Sequence, residues 1–313
     1  MSSYPLGALA ASLTCPGCLC RDRVPRYPSD LTDSEWAMLR PEAEQVMAEI
    51  RRAAGRPMVH DLRAMVDAVG YVARNGIEWR ALQVDFPPWE AVYAFFQRWS
   101  QRGLPQRLTD RLRGRLRTAL GRDRQPSAAI VDSESVKGAD TVGAATRGFD
   151  GGKKINGRKR HIAVDVEGFL LAVVVTAAGV GDRMGAKLLV IALLNTCTRL
   201  KLIWADSGYD GNALAQWVRA VANVTVEVIK RTELHVFKVV PRRWVVERTF
   251  GWLMRYRRLV RDYERRPEHH EAMVYWATVM IMTRRLARMS PDQPQPKPRW
   301  GQPRSALPPP APA

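Results

Sequence analysis

Between Ala128 and Lys230 the chain carries five short runs rich in β-branched and aliphatic residues: AAIVDSESV, HIAVDVEG, LLAVVVTAAG, KLIWADSGYDG and VTVEVIK. The first three follow one another closely, and the second and third meet at Glu167-Gly168 as the arms of a hairpin do. Between the later runs lie amphipathic segments, Asp182 to Thr196 and ALAQWVRAVAN, which read as helices. Strands in succession, then strands alternating with helices, predict an α/β domain with a mixed sheet flanked by helices.

Two of these runs end in an acid. Ile130-Val131-Asp132-Ser133 and Ile203-Trp204-Ala205-Asp206-Ser207-Gly208 each place an aspartate after apolar strand residues, and polar groups at strand ends in α/β sheets converge where ligands bind. A cap on the next turn is the alternative for each, Asp206 before Ser-Gly above all. A third acid lies in PRRWVVERTFGWLMRYRR, Pro241 to Arg258, which reads as one helix starting at the proline. At about 100° per residue, Arg243, Gly251, Met254 and Arg258 fall within about 40° of Glu247, while Val245, Trp252, Leu253, Tyr256, Leu259 and Val260 form an apolar stripe on the far side. Three carboxylates from separate segments suit two hard divalent cations, which activate and stabilise oxygens in phosphodiester transfer. Glu134 shares a strand face with Asp132 and is a further candidate.

Charge points to the substrate. Lys and Arg number 49 against 31 Asp and Glu, a net charge of +18 and a pI near 10.4. The expected partner of such a field is a polyanion, nucleic acid before membrane. The basic run from Gly152 to Arg160 sits between the first two strands, where Lys153, Lys154, Arg158, Lys159 and Arg160 are candidates to grip phosphates; a solvated charge run is the alternative. Arg243 and Arg258, beside Glu247 on the projected helix, and Arg255, about 80° round from it, are further candidates for DNA contacts.

Upstream, LTDSEW opens a helix with Thr32 as N-cap and Glu35 completing a capping box. A second helix is predicted from Val59 through Val72 and a third from WEAVYAFFQRWSQRG, with a turn at Asn75-Gly76 and a break at Phe86-Pro87-Pro88. Three such helices suit a helix-turn-helix DNA reader, although many bundles bind nothing. The expected organisation is a disordered leader (1–28), a helical domain (29–105), a basic helix and linker (106–127), the α/β domain (128–289) and a proline-rich disordered tail (290–313). Cys15, Cys18 and Cys20 in the leader lack a nearby fourth zinc ligand and are expected to be free thiols. No uncharged run is long enough to span a membrane, and the first basic residue, Arg21, comes too late for a secretory signal, so a cytoplasmic protein is expected.

Taken together, these blocks resemble the DDE transposases of bacterial insertion sequences, in the branch called insertion-sequence-five. The resemblance runs from Leu31 to about Arg288. LTDSEW, GRP, NGIEWRAL and FPPWEAVYAFFQRW are similar to that family's N-terminal helical domain; VDSESVKG, GGKKINGRKRHIAVD, WADSGYDG and RRWVVERTFGWLMRYRRLVRDYE are similar to its catalytic domain. The resemblance implies a ribonuclease-H-like fold preceded by a small all-α helix-turn-helix-like domain. It implies a catalytic, metal-holding triad of Asp132, Asp206 and Glu247, with Mg²⁺ or Mn²⁺ as a pair of ions. The implied partners are double-stranded DNA, as terminal inverted repeats and target, and further copies of the chain assembled on it. Where the related signature has a Tyr seven residues before the glutamate and a Lys seven after, this chain has Val240 and Met254, and Arg255 is the nearest replacement for the lysine. The rival readings are a ribonuclease-H-like nuclease or resolvase that does not join strands, and a non-catalytic DNA-binding protein descended from a transposase.

Overall fold

Side chains alternate along a strand, so a strand covered on both faces divides its apolar residues between two cores. That division is visible throughout the computed structural model, which describes residues 23–50, 58–194, 196–229 and 243–290. In strand β1 (Ala128–Lys137), Ile130 belongs to one core and Ala129 and Val131 to the other. Strand β5 (Leu202–Ala205) repeats the pattern, with Trp204 on the first side and Ile203 and Ala205 on the second. Strands β2 (Gly148–Asp150), β3 (Ile155–Val164), β4 (Leu170–Ala177) and β6 (Thr225–Val228) complete the sheet among the described residues.

The sheet is mixed, as predicted. Its order is β2-β3-β1-β5-β6, and β4 pairs with β3 beyond β2. Strand β1 runs antiparallel to β3 and parallel to β5, which is parallel to β6. The β3–β4 hairpin turns at Gly168, whose φ of 81° is left-handed. Strands β1 and β3 come very close at Gly157, where a Cβ would collide with the Val136 carbonyl.

Helices cover both faces. On the second face lie α5 (Asp182–Leu194) and α6 (Asn212–Ala222). On the first lie α4 (Leu104–Ala119), α7 (Arg243–Leu253) and the long α9 (Pro267–Met289). The upstream helices α1 (Asp33–Ile50), α2 (Leu62–Asn75) and α3 (Trp89–Gln101) share this core: Leu39, Val69 and Phe96 belong to the same cluster as Ile130, Trp204 and Phe250. The capping box forms as read, with the Thr32 N–H on Glu35 Oε2 at 3.0 Å and the Glu35 N–H on Thr32 Oγ1 at 3.2 Å. No helix among the described residues is long and apolar enough to cross a membrane. The cysteines of the leader, the proline-rich tail and Val240 lie outside the described residues.

The stretch expected as one helix from Pro241 to Arg258 is broken. Helix α7 ends at Leu253, a turn occupies Met254–Tyr256, and a single further turn, α8 (Arg257–Val260), follows. The end of α2 abuts this break. Arg74 Nη1 donates to the Arg255 carbonyl at 2.6 Å, and a Cβ on Gly76 would stand 2.9 Å from Arg257 Cβ. Tyr256 is buried between the two regions, with the Arg74 guanidinium over its ring.

Candidate active site

Neighbouring parallel strands bring the two aspartates together. Ile130 pairs with Trp204, and Asp132 and Asp206 each follow two residues later. Both therefore emerge on the first face of adjacent strands spaced about 4.8 Å apart, Asp132 in mid-β1 just past the end of its pairing with β5 and Asp206 just after β5. Each carboxylate is oriented by backbone: Asp132 Oδ1 accepts the Ser133 N–H at 2.7 Å, and Asp206 Oδ1 accepts the Gly208 N–H at 2.9 Å. The turn-capping role considered for Asp206 is thus real and leaves the acid at the strand end.

Helix α7 closes on the same place. Val245, Val246 and Phe250 pack into the core that holds Ile130 and Trp204. Val246 lines a small cavity together with Asp132 and Asp206. Glu247, next in the chain, is on the exposed side of α7. Among the described residues, no three acidic, histidine or cysteine side chains stand close enough to hold an ion by themselves. The donor set nonetheless fits Mg²⁺, which takes one or two carboxylates and fills its remaining positions with water and phosphate oxygens.

A fourth acid, Asp182, stands behind the site on the other face, at the start of α5. Its Oδ1 accepts the Ser133 hydroxyl at 2.8 Å and Lys159 Nζ at 3.1 Å. A Cβ on Gly208 would lie 3.1 Å from Asp206 Oδ1 and 3.5 Å from Asp182 Oδ2, so the turn after β5 is threaded between the two carboxylates. The buried Tyr209 hydroxyl bonds Ser133, and burial together with Asp132, Asp182 and Asp206 pushes its pKa up. The sequence showed Asp182 only as a helix start; the contacts that bring it here come from β1, β3 and the turn after β5.

The basic candidates divide sharply. Lys153 and Lys154 are exposed, and Lys153 Nζ reaches the Ser133 carbonyl at 3.3 Å, one residue from Asp132. Arg255 is exposed as well. Arg158, Lys159 and Arg160 are not a phosphate grip: β3 begins at Ile155, so all three are strand residues, and they are buried. Arg158 Nη1 holds Asp262 Oδ2 at 2.8 Å, and Arg160 pairs with Glu134 across the β1–β3 register. Lys159, on the opposite face, serves Asp182 and Asp150. Glu134 is thereby committed to Arg160 and does not join the aspartates. Arg258 is likewise withdrawn from any DNA-facing surface. The break after Leu253 rotates it inward, where Nε donates to Glu264 Oε1 at 2.8 Å and Nη1 to the Ile77 carbonyl at 2.9 Å. Arg243 begins α7.

Two family descriptions and one curated relative match the chain. The family described as "Transposase DDE domain" matches residues 123–282, more than half of the chain. A second, "Putative transposase of IS4/5 family", matches residues 31–109. The chain is 33% identical over 139 residues to the "Putative transposase for insertion sequence element IS402" of Burkholderia cepacia. That alignment covers 42% of this chain and 65% of the relative, just under two thirds of the relative's length.

Proposed function

The chain belongs to the transposases that carry a DDE domain, and on that premise we propose that it binds the terminal inverted repeats of an insertion sequence and performs metal-dependent cleavage and strand transfer of DNA. The observation that carries this reading is the pair Asp132 and Asp206, side by side just past the end of the parallel β1–β5 pairing, on the face that α7 covers. Glu247, on α7, is the third acid, and the triad would hold Mg²⁺ or Mn²⁺ as a pair of ions. Bound there, such ions neutralise the charge that develops on the attacking and leaving oxygens of the phosphodiester.

The remaining work falls to the chain. The Ser133 and Gly208 N–H groups fix the planes of the two aspartates before substrate arrives. Lys153 sets an ammonium beside Asp132 and, with Lys154, Arg243 and Arg255, holds the DNA backbone through phosphates. Gly251 leaves open surface one turn beyond Glu247, where a Cβ would meet no atom within 4 Å, so a strand can come close to the helix. Sequence preference for the repeat is assigned to the helical region from Leu31 to Gly103, since phosphate contacts position DNA without reading it. The protein would act in the cytoplasm, on nucleoid DNA, as an oligomer assembled on the two ends.

The test is incubation with the DNA that flanks its own gene, in Mg²⁺, followed by mapping of the cut ends and of joined strands. Cuts at the element ends with strands joined to a target are expected. Cutting without joining would move the assignment to a nuclease, and binding without cutting to a non-catalytic DNA-binding protein.

A further inference from the structure

The parallel pairing of β1 with β5 stops at Ile130 and Trp204, before either aspartate is reached. From there β1 continues against β3, with Asp132 opposite Ile162, and β5 against β6, with Ala205 opposite Val228. The ladder therefore does not fix the gap between Asp132 and Asp206. A pair of metal ions needs its ligands at a settled separation, so another part of the fold has to set it.

A strap of side chains crosses that gap from the second face. The Ser133 hydroxyl donates to Asp182 Oδ1 at 2.8 Å, and the buried Tyr209 hydroxyl bonds the same serine. Both ends of the strap belong to segments that orient an aspartate. Ser133 gives its backbone N–H to Asp132 Oδ1 at 2.7 Å. Tyr209 follows Gly208, whose N–H meets Asp206 Oδ1 at 2.9 Å. Asp182 ties the strap to the start of α5, and its Oδ2 would stand 3.5 Å from a Cβ on Gly208, so it borders that turn as well. The buried Lys159 Nζ lies 3.1 Å from Asp182 Oδ1 and answers its charge. Asp182 is thereby equipped to hold Ser133 in place, not to take an ion itself.

We propose that Asp182 and Ser133 are positioning residues: through the strap to Tyr209 they set the separation of Asp132 and Asp206 at which metal ions are held. Groups that orient metal ligands without touching the ion change its affinity by about 10–100-fold when removed. This inference rests on the metal-dependent reading of the two aspartates and adds the device that spaces them.

The test reads ion binding apart from cleavage. Full-length protein without DNA is titrated with Mn²⁺ by isothermal calorimetry, and urea unfolding establishes that the variants compared are folded. Ser133→Ala keeps the backbone N–H on Asp132 and loses the hydroxyl. Asp182→Asn keeps an acceptor oxygen for that hydroxyl and loses the charge. Ser133→Ala and Asp182→Ala are each expected to weaken Mn²⁺ binding about tenfold, and Asp182→Asn to stay within about threefold of the wild type. Because the two residues share one bond, the double alanine variant is expected to bind no more weakly than either single one. Unchanged Mn²⁺ affinity in Ser133→Ala overturns the proposal, and this variant, short of a single oxygen, carries the test should Asp182→Ala fail to fold. Losses that add in the double variant overturn it as well. So does an Asp182→Asn as weak as Asp182→Ala, which would make Asp182 a charge that attracts the ion. If Asp132→Asn takes up Mn²⁺ as the wild type does, the acids hold no ion, and the metal reading fails together with this inference.

Discussion

The two ends of strand β1's neighbourhood hold charge in opposite ways. At the β1–β5 edge, Asp132 and Asp206 stand just past the end of the parallel pairing, partly exposed and oriented by backbone N–H groups. At the β1–β3 edge, charge is buried and closed on itself: Arg158 with Asp262, Arg160 with Glu134, and, from the adjoining α8, Arg258 with Glu264. The arginines are the more numerous and the more conspicuous in the sequence, yet they are the structural members. A buried ion pair is held because either partner alone would be an uncompensated charge. The two aspartates are instead partly exposed, and backbone N–H groups orient them.

The sharpest way to break this contrast is to remove one partner from each side. Arg158 donates to Asp262 Oδ2, the Glu264 carbonyl, Thr146 Oγ1 and the Arg265 carbonyl, at 2.6–3.0 Å. Arg158→Ala is expected to cost about 3–5 kcal/mol in urea unfolding, enough to impair folding. An unfolding midpoint close to the wild type would show that the inner charges are dispensable.

Asp132→Asn, Asp206→Asn and Glu247→Gln are expected to do the reverse. Each should lower cleavage by about 10²–10³-fold or more, while stability moves by less than about 1 kcal/mol and binding to the element ends survives. Near wild-type cleavage by any one of them in Mg²⁺ removes that residue from the triad.

Glu271 tests a third kind of charge, partly buried beside another acid. Its Oε1 accepts the Val175 N–H at 2.8 Å, and burial, despite that bond, pushes its pKa up to about 7, with Glu268 adding to the effect. A carboxyl whose folded pKa is raised stabilises fully below its ordinary value near 4.5 and loses that contribution as pH rises through about 7. Glu271→Gln, which cannot ionise, is therefore expected to match the wild type at pH 4 and to exceed it by about 2 kcal/mol at pH 8 in chemical denaturation. Parallel stability curves for the two proteins would contradict this.

The smallest effects belong to the exposed cations. Lys153→Ala and Arg255→Ala are each expected to reduce the salt slope of DNA binding by about 1 and to change stability by less than about 0.5 kcal/mol. Lys159→Ala, from the same basic run as Lys153, should instead destabilise without that change in slope. The two lysines would thus be separated by burial alone.

Period-two alternation and helical spacing made much of this legible. Together with capping chemistry, they predicted the mixed sheet, the β3–β4 hairpin and the capping box at Thr32. The projection of Pro241 to Arg258 failed because it assumed an unbroken helix. No proline lies after Pro241 in that stretch, and its one glycine, Gly251, sits inside α7. The turn at Met254–Tyr256 is met by Arg74 and Gly76 from α2, contacts far away in sequence. The basic run misled for the same reason. Arg158 and Lys159 answer Asp262 and Asp182, and local composition cannot show that a charge on a strand already has a distant partner.

The continuous core beneath α1–α4, α7, α9 and the sheet also has a geometric consequence. A DNA-reading surface on the upstream helices would be joined to the acids by packed side chains instead of a tether. The distance between where DNA is recognised and where it is cut would then be a dimension of the folded body, like the gap of a caliper. Lengthening a surface loop between the helices would leave the cut position where it was. A cavity carved under α9 would make the cut ragged, spreading it over neighbouring nucleotides.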